Sequence, residues 1–490
     1  MLYKAARLDR TAMEREGQQL DPDAGEPLPA SDAARLAQSL DADENTLRPD
    51  FVRRVADAVE AGDRDAVYAL VEPLHPADIA DLFELLDKDD RPLLALLISD
   101  LMGGEVLAEL NDHVRELLVE ALPAGTVADF AEQMETDDAV ALIEDLDKDD
   151  QAAVHAEMEP EDRAAIESAL AYPEETAGRL MSRDFIAVPE HLTVGDLIDY
   201  LRENPDLSAE FWEIFIVDPL FHPLGTCKLS WILRTPRSIS LTDVMKRDQT
   251  LIPVEMDQEE VALRFQKYAL ISAAVVDDSG RLVGQITVDD IVHIISEEAG
   301  EDILRLSGAG DGDINEPIHL TIRTRLTWLV VNLGTAVLAS SVVGLFQGAI
   351  TRFALLAVLM PIVSGMGGNA GTQTLAVIVR ALAMNQLTES NTWRMVWREF
   401  RIALANGLSL ALLIGTAVGL LFSNPLLGAV IGSAMIINNL TAGLAGIAVP
   451  VVLDRLKIDP AVSSAVFVTT ATDVMGFFSF LGLAVVVGLA

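Results

Sequence analysis

The sequence predicts a multidomain fold: an all-α superhelical N-terminal domain, a tandem pair of small α/β modules and a five-helix transmembrane α bundle. Three observations carry this. Charge is segregated: of 76 Asp+Glu and 35 Lys+Arg in 490 residues, only five acids and seven bases lie beyond Arg325, leaving 71 acids against 28 bases before it. Five apolar runs follow Arg325. Two different internal repeats divide the acidic part.

Residues 1–50 are polar and acidic, carry Pro22, Pro27 and Pro29, and show no signal-type apolar core. They read as a disordered leader. Residues 51–170 show helical periodicity with no convincing strand. Leu86-Asp-Lys-Asp-Asp90 recurs as Leu146-Asp-Lys-Asp-Asp150, and Asp-rich pairs at Asn111-Asp112 and Asp137-Asp138 stand where helices start, as the helix macrodipole favours. Stacked helical hairpins account for this pattern. Each Asp pair also reads as a simple N-cap.

Between 171 and 295 short strands alternate with helices, and the pattern repeats. Met181-Ser-Arg-Asp184 matches Met245-Lys-Arg-Asp248, Val217-Asp218 matches Val276-Asp277, and Leu224-Gly225 matches Val283-Gly284. This tandem resembles a pair of cystathionine-β-synthase (CBS) modules, a βαββα regulatory fold. Gly284-Gln-Ile-Thr287-Val-Asp-Asp290 resembles the module's nucleotide signature, which makes Thr287 and Asp290 candidates for binding ATP as a regulatory ligand. The first module, at Gly225-Thr-Cys-Lys-Leu-Ser-Trp231, lacks that Asp. A connecting helix and linker follow over 288–322. Its pattern predicts Ile291, Ile294 and Ile295 on one face and Glu298, Glu301 and Asp302 on the other, where like charges repel unless a cation lies between them.

From 323 to 490 the apolar runs cover roughly 327–347, 353–383, 400–422, 426–453 and 461–489. Each is long enough to cross ~30 Å of hydrocarbon as a helix of ~20 residues. Arg323 and Arg325 precede the first run, Arg380, Arg394, Arg398 and Arg401 flank the second and third, and Arg455 and Lys457 lie between the fourth and fifth. The alternate connections hold Arg352 and no other base. A multi-pass inner-membrane protein follows, with a cytoplasmic N-terminus, the C-terminus outside, and Trp393 and Trp397 anchoring a basic loop.

Two features inside the membrane are costly. Pro361-Ile-Val-Ser-Gly-Met-Gly-Gly-Asn-Ala-Gly-Thr-Gln-Thr374 places five helix-weakening residues and two amides in the second run. It reads as a helix break facing an aqueous path, or as a surface for close helix packing. The second feature is Asp473, about 18 Å into the fifth run. A charge there costs at least ~2.5 kcal/mol, which marks a functional site by default. No Lys, Arg or His lies in the core of any run to neutralise it, and Thr469, Thr470 and Thr472 are neighbours in sequence. A carboxylate on a largely hydrated ion suits Mg2+, which gives up its waters reluctantly; proton exchange is the other reading.

The acidic balance excludes a nucleic-acid partner, which needs clustered bases. Cys227, the single cysteine, excludes a disulfide within one chain and shows no zinc-type cysteine spacing.

The order of domains, the run Gly365-Met-Gly-Gly-Asn-Ala-Gly-Thr-Gln373 and the run Thr472-Asp-Val-Met-Gly476 together resemble the MgtE family of magnesium channels, from about residue 50 to the end. The resemblance implies a non-enzymatic homodimer in the lipid bilayer with one pore on its two-fold axis. It implies Asp473 as the ion-selecting residue, with Gly365, Gly368, Asn369 and Thr469 lining the pore. It further implies closure by Mg2+ bound to the cytoplasmic domains, with regulatory carboxylates at Glu105, Asp137, Asp257, Glu259, Asp290, Glu298, Glu301, Asp302 and Asp459. Family carboxylates are replaced here by Ala141, Ala269 and His293, so some regulatory sites are expected to be weakened. A Mg2+-selective, Mg2+-gated uptake channel is the leading reading. A proton- or sodium-coupled divalent exporter and a membrane-anchored ion or nucleotide sensor are the alternatives.

Overall fold

A computed structural model describes residues 39–41, 46–120, 122–144, 146–204, 207, 211–309, 315–388, 390–462 and 464–489. The chain divides into two compact units between Ala171 and Tyr172.

Among the described residues the first unit is helical apart from a short antiparallel pair, β1 (Leu40–Asp41) with β2 (Thr46–Leu47). Its helices are α1 (Pro49–Glu60), α2 (Arg64–Val71), α3 (Pro76–Leu85), α4 (Arg91–Leu97), α5 (Gly104–Ala108), α6 (Asp112–Glu120), α7 (Ala124–Ala131), α8 (Thr136–Glu144), α9 (Lys148–Glu157) and α10 (Pro160–Leu170). Phe51, Val55 and Val59 recur every four residues on α1, and all three are buried. They join Leu82, Phe83, Leu94, Leu107, Leu118 and Ile143 in one core. The expected leader is corrected at its end: Leu47 is buried in this core, so ordered structure begins before residue 51. The rest of that leader, 1–38 and 42–45, lies outside the described residues.

The Leu-Asp-Lys-Asp-Asp repeat serves two local geometries. Leu86 and Leu146 are both buried. The Asp147 carboxylate caps α9, accepting from Asp149 N at 2.9 Å and Asp150 N at 3.0 Å. In the first copy Asp87–Asp90 form a turn, and α4 starts only at Arg91. Pro92 sits in the first turn of α4, where its missing N–H costs no helical hydrogen bond.

The second unit begins with α11 (Ala177–Leu180), then β3 (Ala187–Pro189), α12 (Val194–Glu203), β4 (Glu213–Val217), β5 (Pro223–Lys228), α13 (Leu229–Arg234) and α14 (Leu241–Val244). The pattern repeats as β6 (Leu251–Pro253), α15 (Gln258–Tyr268), β7 (Ser272–Val276), β8 (Leu282–Thr287) and α16 (Val288–Ser307). The two sheets have the same order, β3-β4-β5 and β6-β7-β8, each with one parallel and one antiparallel pair and a bulge at the matching position of the middle strand. The repeated Met-x-Arg-Asp segments are exchanged. Met181 lies in the core of the second module and Met245 in that of the first. Gly225 and Gly284 recur for that reason: a Cβ at Gly225 would sit 2.7 Å from Lys246 O, and one at Gly284 2.7 Å from Met181 Sδ.

Helices α17 (Ile318–Leu345), α18 (Gln347–Arg352), α19 (Leu355–Ala383), α20 (Thr392–Leu421), α21 (Pro425–Arg455) and α22 (Ser464–Val486) complete the chain. All but α18 are long and apolar enough to span a membrane. α21 is central and packs against α19, α20 and α22, while α17 lies against α22. Its seam with α20 is made of small residues: Gly428 abuts Gly415 and Gly419, Gly432 abuts Ala411, and Gly443 abuts Ala403. Lipid gives helices no hydrophobic drive to associate, so close backbone approach supplies the packing energy.

Three expectations are corrected. The second apolar run is not broken: α19 is continuous over 29 residues with Pro361 inside it. Trp393 and Trp397 stand on the first turns of α20, not in a loop. At ~1.5 Å per residue, its 30 residues reach ~45 Å, beyond the hydrocarbon layer. Arg323 and Arg325 likewise lie inside α17.

Candidate functional site

Asp473 stands ten residues into α22, half-buried. The Ser364 hydroxyl of α19 donates to its Oδ1. The neighbouring threonines spend their protons on their own helix: Thr469 on Ala465 O at 2.8 Å, Thr470 on Val466 O at 2.6 Å and Thr472 on Thr469 O at 2.9 Å. Their oxygens retain lone pairs and can still accept or ligate.

The glycines of α19 divide by face. Gly367 and Gly371 are buried, the first against the Asn438 amide of α21 and the second against Val468 of α22. Close packing is therefore their role. Gly365, Asn369 and Gln373, spaced four apart, form a stripe that is exposed among the described residues. Gly368 borders it, where an added Cβ would lie 3.8 Å from Thr469 Cγ2. The carboxylate, Gly368, Thr469 and an exposed polar stripe thus lie on adjoining helix faces.

Ser364 and two asparagines of α21 were not singled out from the sequence. Asn438 and Asn439 are almost wholly buried. Asn438 Nδ2 donates to Val363 O at 2.8 Å, whereas Asn439 Nδ2 donates to Met435 O of its own helix at 2.9 Å. Two consecutive amides inside an apolar run were the available signal.

The second concentration of carboxylates runs along α16. Thr287 and Asp290 form a capping box at its start: Asp290 Oδ2 accepts from Thr287 Oγ1 at 2.7 Å and Thr287 N at 3.1 Å. Burial pushes the Asp290 pKa up. Ile291 and Ile294 enter the module core, but Ile295 is exposed. The acidic residues are not opposite this apolar stripe, as the pattern predicted; they continue it. Glu298, Glu301, Asp302 and Arg305 follow Ile291 and Ile294 at spacings that keep one helix face. Glu298 Oε1 accepts from Gln258 Nε2 of α15 at 2.5 Å. Asp257 caps α15 through Glu259 N at 3.0 Å.

These groups crowd one another. Glu259 stands at an exposed helix position, yet burial of its carboxyl, followed by the charges of Glu298, Asp257 and Asp302, pushes its pKa up to about 7. Burial raises Asp302, assisted by Asp459 and Glu298. Burial raises Glu301 too, opposed by Arg305. Arg305, which the sequence reading gave no role, pairs with Glu301 and reaches Asp459 Oδ2 at 3.0 Å, tying α16 to the segment before α22. Leu306 packs with Leu375, Val379 and Val468 at the ends of α19 and α22.

Glu105 is exposed in the first turn of α5 and Asp137 half-buried in the first turn of α8. Among the described residues, no group of three or more Asp, Glu, His or Cys side chains is assembled to hold a metal. Ala269 terminates α15 in a left-handed conformation, and His293 is exposed on α16. A cavity of about 140 Å³ lies between the modules, lined among others by Thr226, Lys228, Lys246, Gln249 and Tyr268.

Five membrane-length helices with a carboxylate inside the last, joined by an acidic helix to a CBS pair, define a multi-pass membrane protein built to handle cations. The comparisons with known proteins agree. A family model described as divalent cation transporter matches residues 360–483, the MgtE intracellular N domain matches 74–175, and the CBS domain matches 241–297. The magnesium transporter MgtE of Enterococcus faecalis is 32% identical over 84% of this chain and 91% of its own length. That of Thermus thermophilus is 30% identical over 87% and 96%. The cytosolic domain of the Mg2+ channel MgtE, solved in complex with ATP, aligns with a TM-score of 0.46 and 26% identity, covering 50% of this chain and 99% of that one. The chain belongs to the MgtE family.

Proposed function

We propose that this protein is a Mg2+-selective channel for magnesium uptake, closed by Mg2+ binding to its cytoplasmic part. The observation that carries the reading is Asp473. It stands inside a membrane helix with a neutral hydroxyl as its hydrogen-bond partner, beside a stripe of glycine and amides that is exposed among the described residues. Amides facing lipid are costly. A second copy of the chain, with the stripe turned toward a water-filled axis, relieves that cost and makes the homodimer the functional unit. Two Asp473 carboxylates across an axis would hold a hydrated divalent ion without stripping its waters. Gly365, Gly368, Asn369 and Thr469 line that path. The protein performs no covalent chemistry in this reading. In this reading it sits in the inner membrane, and the bases in alternate connections favour a cytoplasmic N-terminus and an outside C-terminus.

Closure follows from the acidic stripe of α16. Glu259, Glu298, Glu301, Asp302 and Asp459 repel, and a divalent cation among them stabilises the arrangement that holds them together. A ligand shifts such an equilibrium only by its differential affinity for the two states. Asp257, Asp290, Glu105 and Asp137 are further regulatory candidates. ATP, present in the solved relative's complex, is a candidate regulatory ligand, and the cavity between the modules, with Glu213 beside Lys228, would have to widen to admit it. The carboxylate of Asp290 is already engaged by Thr287.

Mg2+ flux into proteoliposomes tests the reading. A channel carries Mg2+ after proton and sodium gradients are dissipated, and Asp473→Asn lowers that flux at least about tenfold. Flux that vanishes with the gradients would establish the exporter, and full flux through Asp473→Asn would remove Asp473 from the path.

A further inference from the structure

We infer that Asn438 is a positioning residue that sets the distance between Ser364 and Asp473, and through it the affinity of the ion path. The inference rests on the assignment of Asp473 to that path. Asn438 is wholly buried on α21, the helix that touches both others. Its Nδ2 donates to Val363 O at 2.8 Å, the carbonyl immediately before Ser364. A carbonyl accepts twice, so this bond adds to the ladder of α19 rather than replacing a rung. The same amide fills a notch between Gly367 of α19 and Gly476 of α22, where a Cβ at Gly476 would lie 2.8 Å from Nδ2. Gly476 is one turn beyond Asp473, and Gly367 one turn beyond Val363. One side chain therefore fixes both helices within a turn of the Ser364–Asp473 hydrogen bond.

Packing alone does not account for an asparagine here. Asn438 Oδ1 is buried with no hydrogen-bond partner among the described residues. An apolar side chain of similar volume would fill the notch without leaving a polar atom unsatisfied. Asn439 Oδ1 is orphaned in the same way, and Asn439 differs only in where its amide points. Its amide donates to its own helix and reaches neither Ser364 nor Asp473.

The decisive experiment is a double-mutant cycle on Mg2+ uptake by the full-length protein, with Asn438→Leu, Ser364→Ala and both changes together. Asn438→Leu is expected to raise the Mg2+ concentration for half-maximal uptake by about tenfold, the usual cost of losing a group that orients a metal ligand. Maximal rate and thermal stability should change far less. With Ser364 already replaced, Asn438→Leu should add little, because both changes act on the same carboxylate. If the two effects multiply independently, or only stability and maximal rate move, Asn438 merely packs and the inference is overturned. Asn438→Ala, which removes the amide without adding bulk or charge, carries the same cycle should the leucine protein fail to fold. Asp473→Asn is run beside it. Normal uptake in that protein defeats the assignment of Asp473, whereas loss there with an additive cycle defeats only the role given to Asn438.

Discussion

Two sets of carboxylates are partly buried, and they are held differently. Along α16 and the start of α15, Glu259, Glu298, Glu301, Asp302 and Asp459 crowd one another, and burial with mutual repulsion raises the proton affinity of Glu259, Glu301 and Asp302. One built-in cation, Arg305, offsets part of that repulsion. In the membrane, Asp473 has no carboxylate neighbour on its own helix and is held by a serine hydroxyl. The crowded set gains most when positive charge arrives, which suits a response to ion concentration. The isolated group keeps a fixed geometry and an open coordination side, which suits passage.

The largest effect expected from this contrast is at Asp473. Asp473→Asn keeps the shape and removes the charge, so divalent uptake in proteoliposomes should fall by at least about tenfold, with dimer formation and thermal stability retained.

Next in size are the glycines of α19, which separate path from packing. Gly368→Val should block uptake while the protein still folds, since its added atoms enter the space beside Thr469. Gly367→Ala should instead lower folding yield, since its methyl meets the buried Asn438 amide. If both variants fold and transport normally, the division of faces on α19 is wrong.

A smaller effect concerns the crowded set. Replacing Glu298, Glu301 and Asp302 together by Ala removes ligands and repulsion at once, and the channel should stay open at Mg2+ concentrations that close the wild type. Arg305→Gln removes only the built-in cation, so closure should need severalfold less Mg2+, read from flux against internal Mg2+. Closure at the wild-type concentration would show that Arg305 does not compete with the ion.

The smallest is a pH effect. Glu259 is raised from 4.5 to about 7. Between those values the native arrangement binds more protons than the unfolded chain, so this group's contribution to stability falls as pH rises through that window. Mg2+ competes with the same proton, hence Mg2+ protection against proteolysis in the 300–315 segment should weaken as pH falls below about 7. Because Glu259 reaches solvent, screening keeps the effect modest. Glu259→Gln should flatten the dependence; an unaltered pH profile would assign it elsewhere.

Much of the architecture was legible before any coordinates. The five spans follow from length and hydropathy, because lipid forces a segment to satisfy its backbone internally. The repeated modules follow from matched motifs, and Asp473 follows from its cost. The sequence suggested a break in α19 because Pro361 and four glycines weaken an isolated helix. In the folded chain, packing of Gly367 and Gly371 against α21 and α22 outweighs that intrinsic cost of ~1 kcal/mol per glycine. The sequence also put the acids of α16 opposite its isoleucines, although a seven-residue spacing returns nearly to the same face.

By itself, then, the sequence determined what is local or periodic: which segments are helices, which enter the membrane, where the modules repeat and which charge is out of place. The tertiary structure alone decided the partners. Ser364 and Asp473 are 109 residues apart, Asn438 and Val363 are 75 apart, and Arg305 and Asp459 are 154 apart. Nothing in the spacing along one helix specifies which face of another it meets. That choice is made by how small residues let α19, α21 and α22 approach, and it is there that a serine, an asparagine and an arginine acquire their roles.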